Sequence, residues 1–243
     1  GGFHVEDNAV ATLIRVGVLR NRANTGGGLN AYRSRYDVFE SVIDSNQATN
    51  GFGGGIAATS NNPAPSPVRP ASVVNLTQTL LRNNTATTAG GGIAATGDNY
   101  CGGSTPTPSC TSVKASVSLT NSVLDSNQSP SQGGGLLLNR SNLAVAGSLI
   151  IRNSVTGGAL PFGGGMLLTT ASAATITGTT IARNTAGQYG GGIFMDDSAS
   201  LQMNGSQLYD NTASVQGGGL FVGPNGSASG SIQDSIIADN TNY

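Results

Sequence analysis

The sequence predicts an all-β fold: a right-handed, single-stranded parallel β-helix (a β-solenoid) of about eight coils, each with about 27 residues and three short strands. Three observations predict it. Glycine triplets recur along the chain, an asparagine precedes each triplet, and apolar residues alternate with polar ones over short runs. Period-two alternation is typical of strands, and short repeated units that cannot bury their own apolar side chains are typical of stacked coils. We therefore predict one domain over 1–243.

The glycine triplet is the first repeated element, and each copy is followed by Leu, Ile or Met. The triplets begin at Gly26, Gly53, Gly90, Gly133, Gly163, Gly190 and Gly217. Since glycine has no Cβ, it reaches φ > 0 and allows two backbones to approach closely, so the triplet predicts a tight corner that stacks on its copies. No helical pattern follows the triplet, and this excludes a phosphate-binding loop.

The second element is an asparagine that follows an apolar residue by three positions. Its copies are Asn21, Asn46, Asn84, Asn127, Asn153, Asn184, Asn211 and Asn240. Five positions earlier a hydroxyl recurs, at Ser41, Thr79, Ser122, Ser148, Thr179, Ser206 and Ser235. Stacking places each copy above the last, so we predict an asparagine ladder and a hydroxyl ladder that satisfy polar groups turned toward the core.

These paired markers, "[VIL]xxN" and "GGG[ILM]", resemble the FxxN and GGA[ILV] repeats of the polymorphic outer-membrane-protein family. They also resemble surface proteins with right-handed parallel β-helix repeats. Here an aliphatic residue replaces the aromatic one and a third glycine replaces alanine, which favours the wider β-helix group. The resemblance covers nearly the whole chain. It implies an exported, cell-surface or secreted solenoid, often an adhesin or passenger.

Composition narrows the possible partners. Only 9% of the residues are charged, the net charge is −1, and no basic patch stands out, so we predict no nucleic-acid partner. No apolar run approaches the length needed to cross a bilayer, so we predict no transmembrane segment. We also predict no cofactor. Cys101 and Cys110 flank a short polar loop; they predict a disulfide and an extracellular or cell-surface location, the alternative being two free thiols.

Charged residues recur next to the asparagine positions. Asp44, Arg82 and Asp125 lie two positions before the asparagine in successive coils, and Arg183 and Asp210 lie one position before it. We expect them to pair across coils and to fix the strand register.

Catalytic residues are sparse. The closest acidic pair is Asp196 and Asp197, for which we predict a solvated turn, and His4 with Glu6 and Asp7 forms a small cluster near the start. No Ser/His/Asp grouping or metal-binding motif is recognisable, so we predict no enzyme, no catalytic residue and no metal site. The alternative is a carbohydrate-active β-helix of the polysaccharide lyase or epimerase type.

Two insertions interrupt the repeat in adjacent coils, at about 60–70 and 97–111. Proline stiffens the first and the predicted disulfide stiffens the second, so both are candidate recognition loops, neutral drift being the alternative. Their candidate residues are Pro63, Pro65, Pro67, Arg69, Tyr100, Pro106 and Pro108.

A large apolar residue is the second residue after each of the last four glycine triplets. Since the first residue after the triplet is predicted to point inward, alternation predicts that this second side chain points outward. These residues are Leu137, Leu167, Phe194 and Phe221. They predict an exposed stripe that contacts another molecule, unless another part of the chain covers it.

The two ends read as interrupted repeats, since the chain opens with "GGF" and stops at "DNTNY". We expect either a segment of a longer array or a subunit that stacks into a filament. The sequence as a whole favours an extracellular structural or adhesive solenoid without catalytic activity. Its partners would be further copies, bound head-to-tail or laterally, or a surface protein or glycan.

Overall fold

The computed structural model describes residues 1–61, 70–102, 109–158 and 161–243, the side chains of 100–102 and 109–111 excepted. The described residues form strands and no helix, and the strands stack as a parallel β-solenoid of eight coils. The predicted fold class is confirmed. We number the coils 1–8 from the N-terminus; from coil 2 onward each begins at the first glycine of a triplet.

Sheet A contains the strands that follow the glycine triplets. They are Phe3–Glu6, Leu29–Tyr32, Ile56–Thr59, Ile93–Thr96, Leu136–Asn139, Met166–Thr169, Ile193–Met195 and Leu220–Val222. Phe3 pairs with Leu29, so Gly1 and Gly2 occupy the last two triplet positions of coil 1.

Sheet B follows in each coil. Its strands are Val10–Ile14, Arg35–Phe39, Val73–Thr77, Ala115–Thr120, Ser141–Ala146, Ala173–Thr177, Ser200–Asn204 and Ser229–Gln233. Sheet C comes next, with strands Gly17–Leu19, Val42–Asp44, Leu80–Arg82, Val123–Asp125, Leu149–Ile151, Thr180–Ala182, Gln207–Tyr209 and Ile236–Ala238. All neighbouring strands in these sheets are parallel.

A fourth sheet was not predicted. Sheet D consists of two-residue strands, Arg22–Ala23, Gln47–Ala48, Thr85–Ala86, Gln128–Ser129, Ser154–Val155, Thr185–Ala186, Thr212–Ala213 and Thr241–Asn242. The prediction of three strands per coil was therefore one too few. Two residues are too short to display alternation, so this sheet has no period-two signature in the sequence.

Three kinds of corner in the left-handed region recur along the solenoid, besides residues such as Arg33 and Arg140 between sheets A and B. One is the first glycine of each triplet, with φ of 65° at Gly90 and Gly190. The second directly precedes the ladder hydroxyl, as at Gln78, and the third directly precedes the ladder asparagine, as at Asn83. The second and third corners turn the chain so that the next side chain, a ladder hydroxyl or asparagine, points inward, and this places the polar ladders at the edges of the core.

The interior is one column of stacked apolar side chains. Sheets A, B and C each contribute a row, and the row in sheet C is Val18, Ile43, Leu81, Leu124, Ile150, Ile181 and Leu208. Most of these side chains are fully buried. Because every coil contributes to the same column, the coils bury one another and no coil has a core of its own.

Both insertions leave the solenoid between sheet A and sheet B, in coils 3 and 4. The strands that flank them pair directly, Ile56–Thr59 with Ile93–Thr96 and Val73–Thr77 with Ala115–Thr120, so both insertions leave the solenoid at the same corner of adjacent coils. The second insertion, predicted as a loop, contains an antiparallel hairpin of Asp98–Gly102 and Ser109–Val113.

Candidate interaction surfaces

The asparagine ladder is continuous over all eight coils, as predicted. Asn127 Oδ1 accepts two hydrogen bonds from Asn84 in the preceding coil, from the backbone N–H at 3.1 Å and from Nδ2 at 3.0 Å. Its own Nδ2 donates to Asn153 Oδ1 at 3.0 Å and to the Leu81 carbonyl at 3.2 Å. The same pattern repeats at each step, and the six inner asparagines are fully buried. The ladder is therefore a structural element of the core.

The hydroxyl ladder is also present, but it runs through the backbone. Ser122 Oγ accepts a hydrogen bond from the backbone N–H of Thr79 in the preceding coil at 3.1 Å. It donates to the carbonyl of Thr120 in its own coil at 2.9 Å. Successive hydroxyls are thus linked through main-chain groups.

Each of the three glycines in a triplet is required by a different set of close contacts. A methyl group on the first glycine would meet the backbone of its own coil. One on the second would meet the sheet D strand of its own coil as well as the next coil, as with Gly164 against the Thr185 carbonyl and, at 2.5 Å, the Gly191 carbonyl. A methyl group on the third would meet the ladder asparagine of its own coil, as with Gly165 against Asn184 at 3.0 Å, and the triplet carbonyl of the next coil, here Gly192 at 2.6 Å. The triplet and the asparagine therefore recur together because one makes room for the other.

The predicted exposed stripe is buried, and the prediction that it faces outward was wrong. Leu137, Leu167 and Phe194 are 3%, 2% and 5% exposed, and Phe221 is partly buried. The covering residues come from the same chain. They lie directly before the triplets, where Ala89, Gln132, Phe162, Tyr189 and Gln216 form a column of single parallel bridges. This column folds over the outer side of sheet A.

The covered stripe forms a second apolar cluster that is rich in aromatic rings. The ring of Phe162 stacks on that of Phe194 with centroids 4.7 Å apart, and Tyr189 lies 4.7 Å from Phe221. Phe194 and Phe221 stack at 5.6 Å. Offset or tilted rings at these separations stabilise each other beyond the area that they bury. The aromatic residues before the triplets are visible in the sequence, but alternation within the strand gave no reason to connect them with the stripe.

Charged side chains pair across coils on the outer surface of sheet C. Arg82 Nε lies 2.9 Å from Asp44 Oδ2, and Arg183 lies 3.5 Å from Asp210, as expected. Asp125 pairs with Arg152 of the following coil, with Nε 2.9 Å from Oδ1, and not with Arg82. Arg152 stands one residue before its ladder asparagine, whereas Asp125 stands two residues before its own. The ion pair therefore joins the two charged positions that the sequence analysis had treated separately.

Asp44 is held by more than its arginine partner. Partial burial would by itself raise the pKa of this carboxyl group, but hydrogen bonds from Ser45, Asn83 and Arg82, together with the charge of Arg82, lower the pKa. The carboxylate therefore remains ionised at neutral pH and joins coils 2 and 3.

The acidic pair Asp196–Asp197 is not a solvated turn as a whole, because Asp196 is only 8% exposed. Its carboxylate accepts hydrogen bonds from the backbone N–H of Asn225 at 2.9 Å and from Asn225 Nδ2 at 2.8 Å. It also accepts one from the N–H of Asp197. The carboxylate thus fixes the turn of coil 8 to coil 7.

The residues predicted for the recognition loops fall mostly outside the described residues. Pro63, Pro65, Pro67 and Arg69 do so, as do Pro106 and Pro108. Tyr100 is described only by its backbone, which pairs with Thr111 in the hairpin. The backbones of Cys101 and Cys110 lie directly opposite each other in the same hairpin. The disulfide itself stays a prediction.

An uncharged polar groove of about 310 Å³ lies on the outer face of sheet B in coils 6–8. Two rows of outward side chains form its walls. They are Thr175, Gln202 and Ser231 in one row and Thr177, Asn204 and Gln233 in the other. All six residues are exposed, and their side chains form no hydrogen bond with any described residue. We name this surface the polar groove.

The same face of sheet B is different in coils 2 and 3. There Asp37 accepts hydrogen bonds from Arg35 Nε at 2.8 Å and from Asn75 Nδ2 at 2.8 Å. These polar groups satisfy one another and carry charge. In coils 6–8 this face instead offers neutral donors and acceptors whose side chains form no hydrogen bond with any described residue.

A second depression, of about 350 Å³, lies outside sheet D in coils 3–5. It is lined by Thr85, Thr87, Gln128, Pro130 and Thr156 among others, and its exposed lining is mainly apolar. Gln128 Nε2 donates to Thr156 Oγ1 across it at 3.3 Å. It therefore offers fewer free polar groups than the polar groove.

Within the described part of the chain, no three His, Cys, Asp or Glu side chains come together in a way that could hold a metal ion. His4 contacts Glu6 at 3.3 Å, and both side chains are exposed. The same residues contain no helix long and apolar enough to cross a membrane. No protein-family model matches the sequence, and no curated protein matches it.

Proposed function

We propose that this chain is an extracellular, non-catalytic β-solenoid that acts as a structural and adhesive module and binds neutral glycans through the polar groove. The single observation that carries the proposal is the groove: six neutral hydroxyl and amide side chains in two rows over three coils, all without a partner among the described residues.

The chemistry of the groove favours a polyhydroxylated, uncharged ligand. Side-chain amides and hydroxyls both donate and accept hydrogen bonds, as sugar hydroxyls do. None of the six lining side chains is charged, so the groove has no group to pair with an acidic sugar or a phosphate. The two rows of side chains run parallel to the axis of the solenoid, so the groove suits an extended oligosaccharide.

The scaffold supports this role because it holds the two rows at fixed positions. Each strand of sheet B carries one residue of each row, and each neighbouring strand is hydrogen-bonded in register. A rigid, pre-formed array loses little conformational freedom on binding.

The non-catalytic part of the proposal is supported by the way the acidic groups are used. Asp44 and Asp125 are paired with arginines, and Asp196 is bound by Asn225. Each of these carboxylates has a structural partner and lies away from the six side chains of the polar groove.

Binding of neutral hexasaccharides of glucose, mannose and N-acetylglucosamine, followed by NMR titration, tests the proposal. We expect at least one of them to bind with a Kd of about 1 mM or tighter. The double variant Gln202→Ala and Asn204→Ala should weaken it at least about tenfold. Asn142→Ala removes an exposed amide from the same face of sheet B in coil 5, outside the groove, and should leave binding unchanged. Binding only to oligogalacturonate, or a double variant that binds as well as the unaltered chain, would contradict the proposal.

The extracellular location is supported by the paired cysteine positions in the hairpin, since disulfides persist in oxidising compartments. Intact mass measurement of protein from an oxidising compartment, alkylated before reduction, tests it. We expect no alkylation of Cys101 or Cys110 until a reductant is added. Two alkylated cysteines without reductant would contradict this part of the proposal.

A further inference from the structure

We propose that two copies of this chain pair side by side through the outer face of sheet C, with the rods antiparallel and the two-fold axis between coils 3 and 4. The partner is a second copy of the same chain. The contact uses coils 2–5, whose strands pair with another coil on each side. It goes beyond glycan binding and does not depend on it, because the polar groove lies on sheet B in coils 6–8.

The first argument is a row of aliphatic side chains on the outer face of sheet C, which we name the sheet C stripe. Its members begin four successive strands and are aligned by the strand register; they are Val42, Leu80, Val123 and Leu149. The first three are partly exposed, and Leu149 is 39% exposed. The same position holds Gly17 in coil 1 and Thr180 in coil 6, so the row covers four coils. An aligned apolar row that faces solvent is typical of a contact surface.

A row of charges of alternating sign runs beside the stripe. Asp44, Arg82 and Asp125 occupy it in coils 2, 3 and 4, and Arg152 follows in coil 5, where its guanidinium group lies against Asp125. The order from coil 2 to coil 5 is therefore negative, positive, negative, positive. The side chains of Arg82 and Arg152 are 47% and 50% exposed, so both stay accessible although each has a partner in its own chain.

This order of charges is complementary to itself when one copy is turned end over end. The rotation places coil 2 opposite coil 5 of the second copy, and coil 3 opposite coil 4. Asp44 then faces Arg152 of the second copy, and Arg82 faces its Asp125. Each contact occurs twice, because both copies use the same surface in a two-fold interface.

The same rotation lays the sheet C stripe on its own copy. Val42 then faces Leu149 of the second copy, and Leu80 faces its Val123. Every contact along the stripe therefore combines one valine with one leucine. The apolar row and the charged row thus share one two-fold axis, although they consist of different residues.

The charges also specify the register. A shift by one coil in either direction would place Arg82 opposite an arginine and Asp125 opposite an aspartate, and like charges in contact are unfavourable. Four coils span only about 20 Å along the solenoid axis. The interface is therefore smaller than that of a permanent dimer, and we expect reversible pairing.

Sedimentation equilibrium of the 243-residue chain over a concentration series tests the proposal. We expect a monomer–dimer equilibrium with a Kd of about 100 µM or tighter. Leu80→Asp introduces a charge in the middle of the stripe and should weaken pairing at least about tenfold. Gln207→Asp is the control, because it introduces the same charge at the same exposed strand position in coil 7, outside the stripe, and should leave pairing unchanged.

Exchange of the facing charges tests the orientation. Arg82→Asp would face Asp125 of its partner copy, and Asp125→Arg would face Arg82, so each variant alone should pair at least about tenfold more weakly than the unaltered chain. An equimolar mixture should pair again, because positions 82 and 125 then carry opposite charges at both contacts. Loss of an ion pair within one chain would not be restored by mixing, and circular dichroism should show that all variants fold.

A monomer at every concentration up to about 1 mM would overturn the proposal. So would a dimer that Leu80→Asp leaves as tight as before, or a mixture of the two charge variants that pairs no better than each one alone.

Discussion

At the scale of single residues, Tyr36 is the least expected side chain in the core. It is fully buried in sheet B of coil 2, where the neighbouring coils have Ala11 and Val74. Its hydroxyl faces the backbone of Asn30 but forms no hydrogen bond of normal geometry with any described residue. Tyr36→Phe should therefore raise the free energy of unfolding by about 1 kcal/mol, because it removes an unpaired buried hydroxyl and keeps the ring. Urea unfolding at pH 7 measures this, and a loss of stability would contradict it.

The pH dependence of stability, compared between the unaltered protein and Tyr36→Phe, provides a second test of this hydroxyl. Burial raises the pKa of the Tyr36 hydroxyl above its ordinary value of 10.0. The folded chain then holds this proton more tightly than the unfolded chain, so the contribution to stability is complete below about pH 10 and is lost as the pH rises through the folded-state pKa. Between pH 9 and about pH 11, the unaltered protein should lose more stability than Tyr36→Phe. Parallel losses would contradict this origin.

The ladder asparagines make a different residue-scale prediction. Asn127→Ala leaves two donors of Asn84 and the Leu81 carbonyl without their partner inside the core. We expect it to lower the free energy of unfolding by at least about 3 kcal/mol. Asn240→Ala, at the more exposed last rung, should cost about 1 kcal/mol because water replaces the lost acceptor. Equal losses in chemical denaturation would show that burial of the ladder is not what stabilises it.

The ladder residues were predictable from the sequence because each needs one residue type at one place. The left-handed corners were not recognised beyond the triplet. They are occupied by Arg, Glu, Gln, Ser, Asn, Asp and Gly, and such a mixture is typical of any exposed turn. The polar groove was missed for the same reason, since its hydroxyls and amides resemble ordinary surface residues until their lack of partners is known.

At the scale of elements, the corners differ in what they require of glycine. Gly178 has φ of 54° and no atom within 4 Å of the position of a methyl group, so Gly178→Ala should cost about 1 kcal/mol from backbone conformation alone. Gly164→Ala places a methyl group 2.5 Å from the Gly191 carbonyl and should cost more than about 3 kcal/mol. Thermal unfolding of the two variants compares them. Similar costs would show that the close backbone contacts of Gly164, with Thr185 in its own coil and Gly191 in the next, are not what requires glycine there.

The second apolar cluster makes an element-scale prediction about Phe194. Phe194→Ala should lower the free energy of unfolding by about 3–5 kcal/mol, because it opens a cavity between Phe162 and Phe221. Phe52, in the covering column of coil 2, is 40% exposed, and Phe52→Ala should cost less than about 1.5 kcal/mol. Denaturant unfolding measures both. An unchanged stability of Phe194→Ala would mean that the stripe is not a core.

Alternation correctly predicted the strands of sheets A, B and C, and it misled us about the stripe. An outward side chain in a strand is exposed only if nothing crosses above it. Here a neighbouring segment, marked by Phe162 and Tyr189, lies over sheet A. Which segment covers which strand depends on how the chain turns between coils, and local periodicity does not contain that information.

At the scale of the whole molecule, stability should vary along the rod. Strands of coils 2–7 pair on both sides and line the core, and those of coils 4–7 also include most of the second cluster. Strands of coils 1 and 8 pair on one side only. Hydrogen exchange of the monomer should therefore be slowest in coils 4–7 and fastest at the two ends. Uniform protection along the chain would contradict this, and would indicate that the solenoid opens only as a unit.

The match between neighbouring coils also bears on how the length of this protein can change. In coils 6 and 7, Tyr189 and Gln216 stand at the same place before the next triplet, and every ladder residue has its counterpart one coil away. Duplicating or deleting 190–216 would therefore rejoin equivalent positions and would preserve the strand pairing and the asparagine ladder on either side. Each such event would lengthen or shorten the rod by about 4.8 Å. Gene duplication in whole coils would adjust the reach of the molecule while keeping the stacking of the coils on either side unchanged.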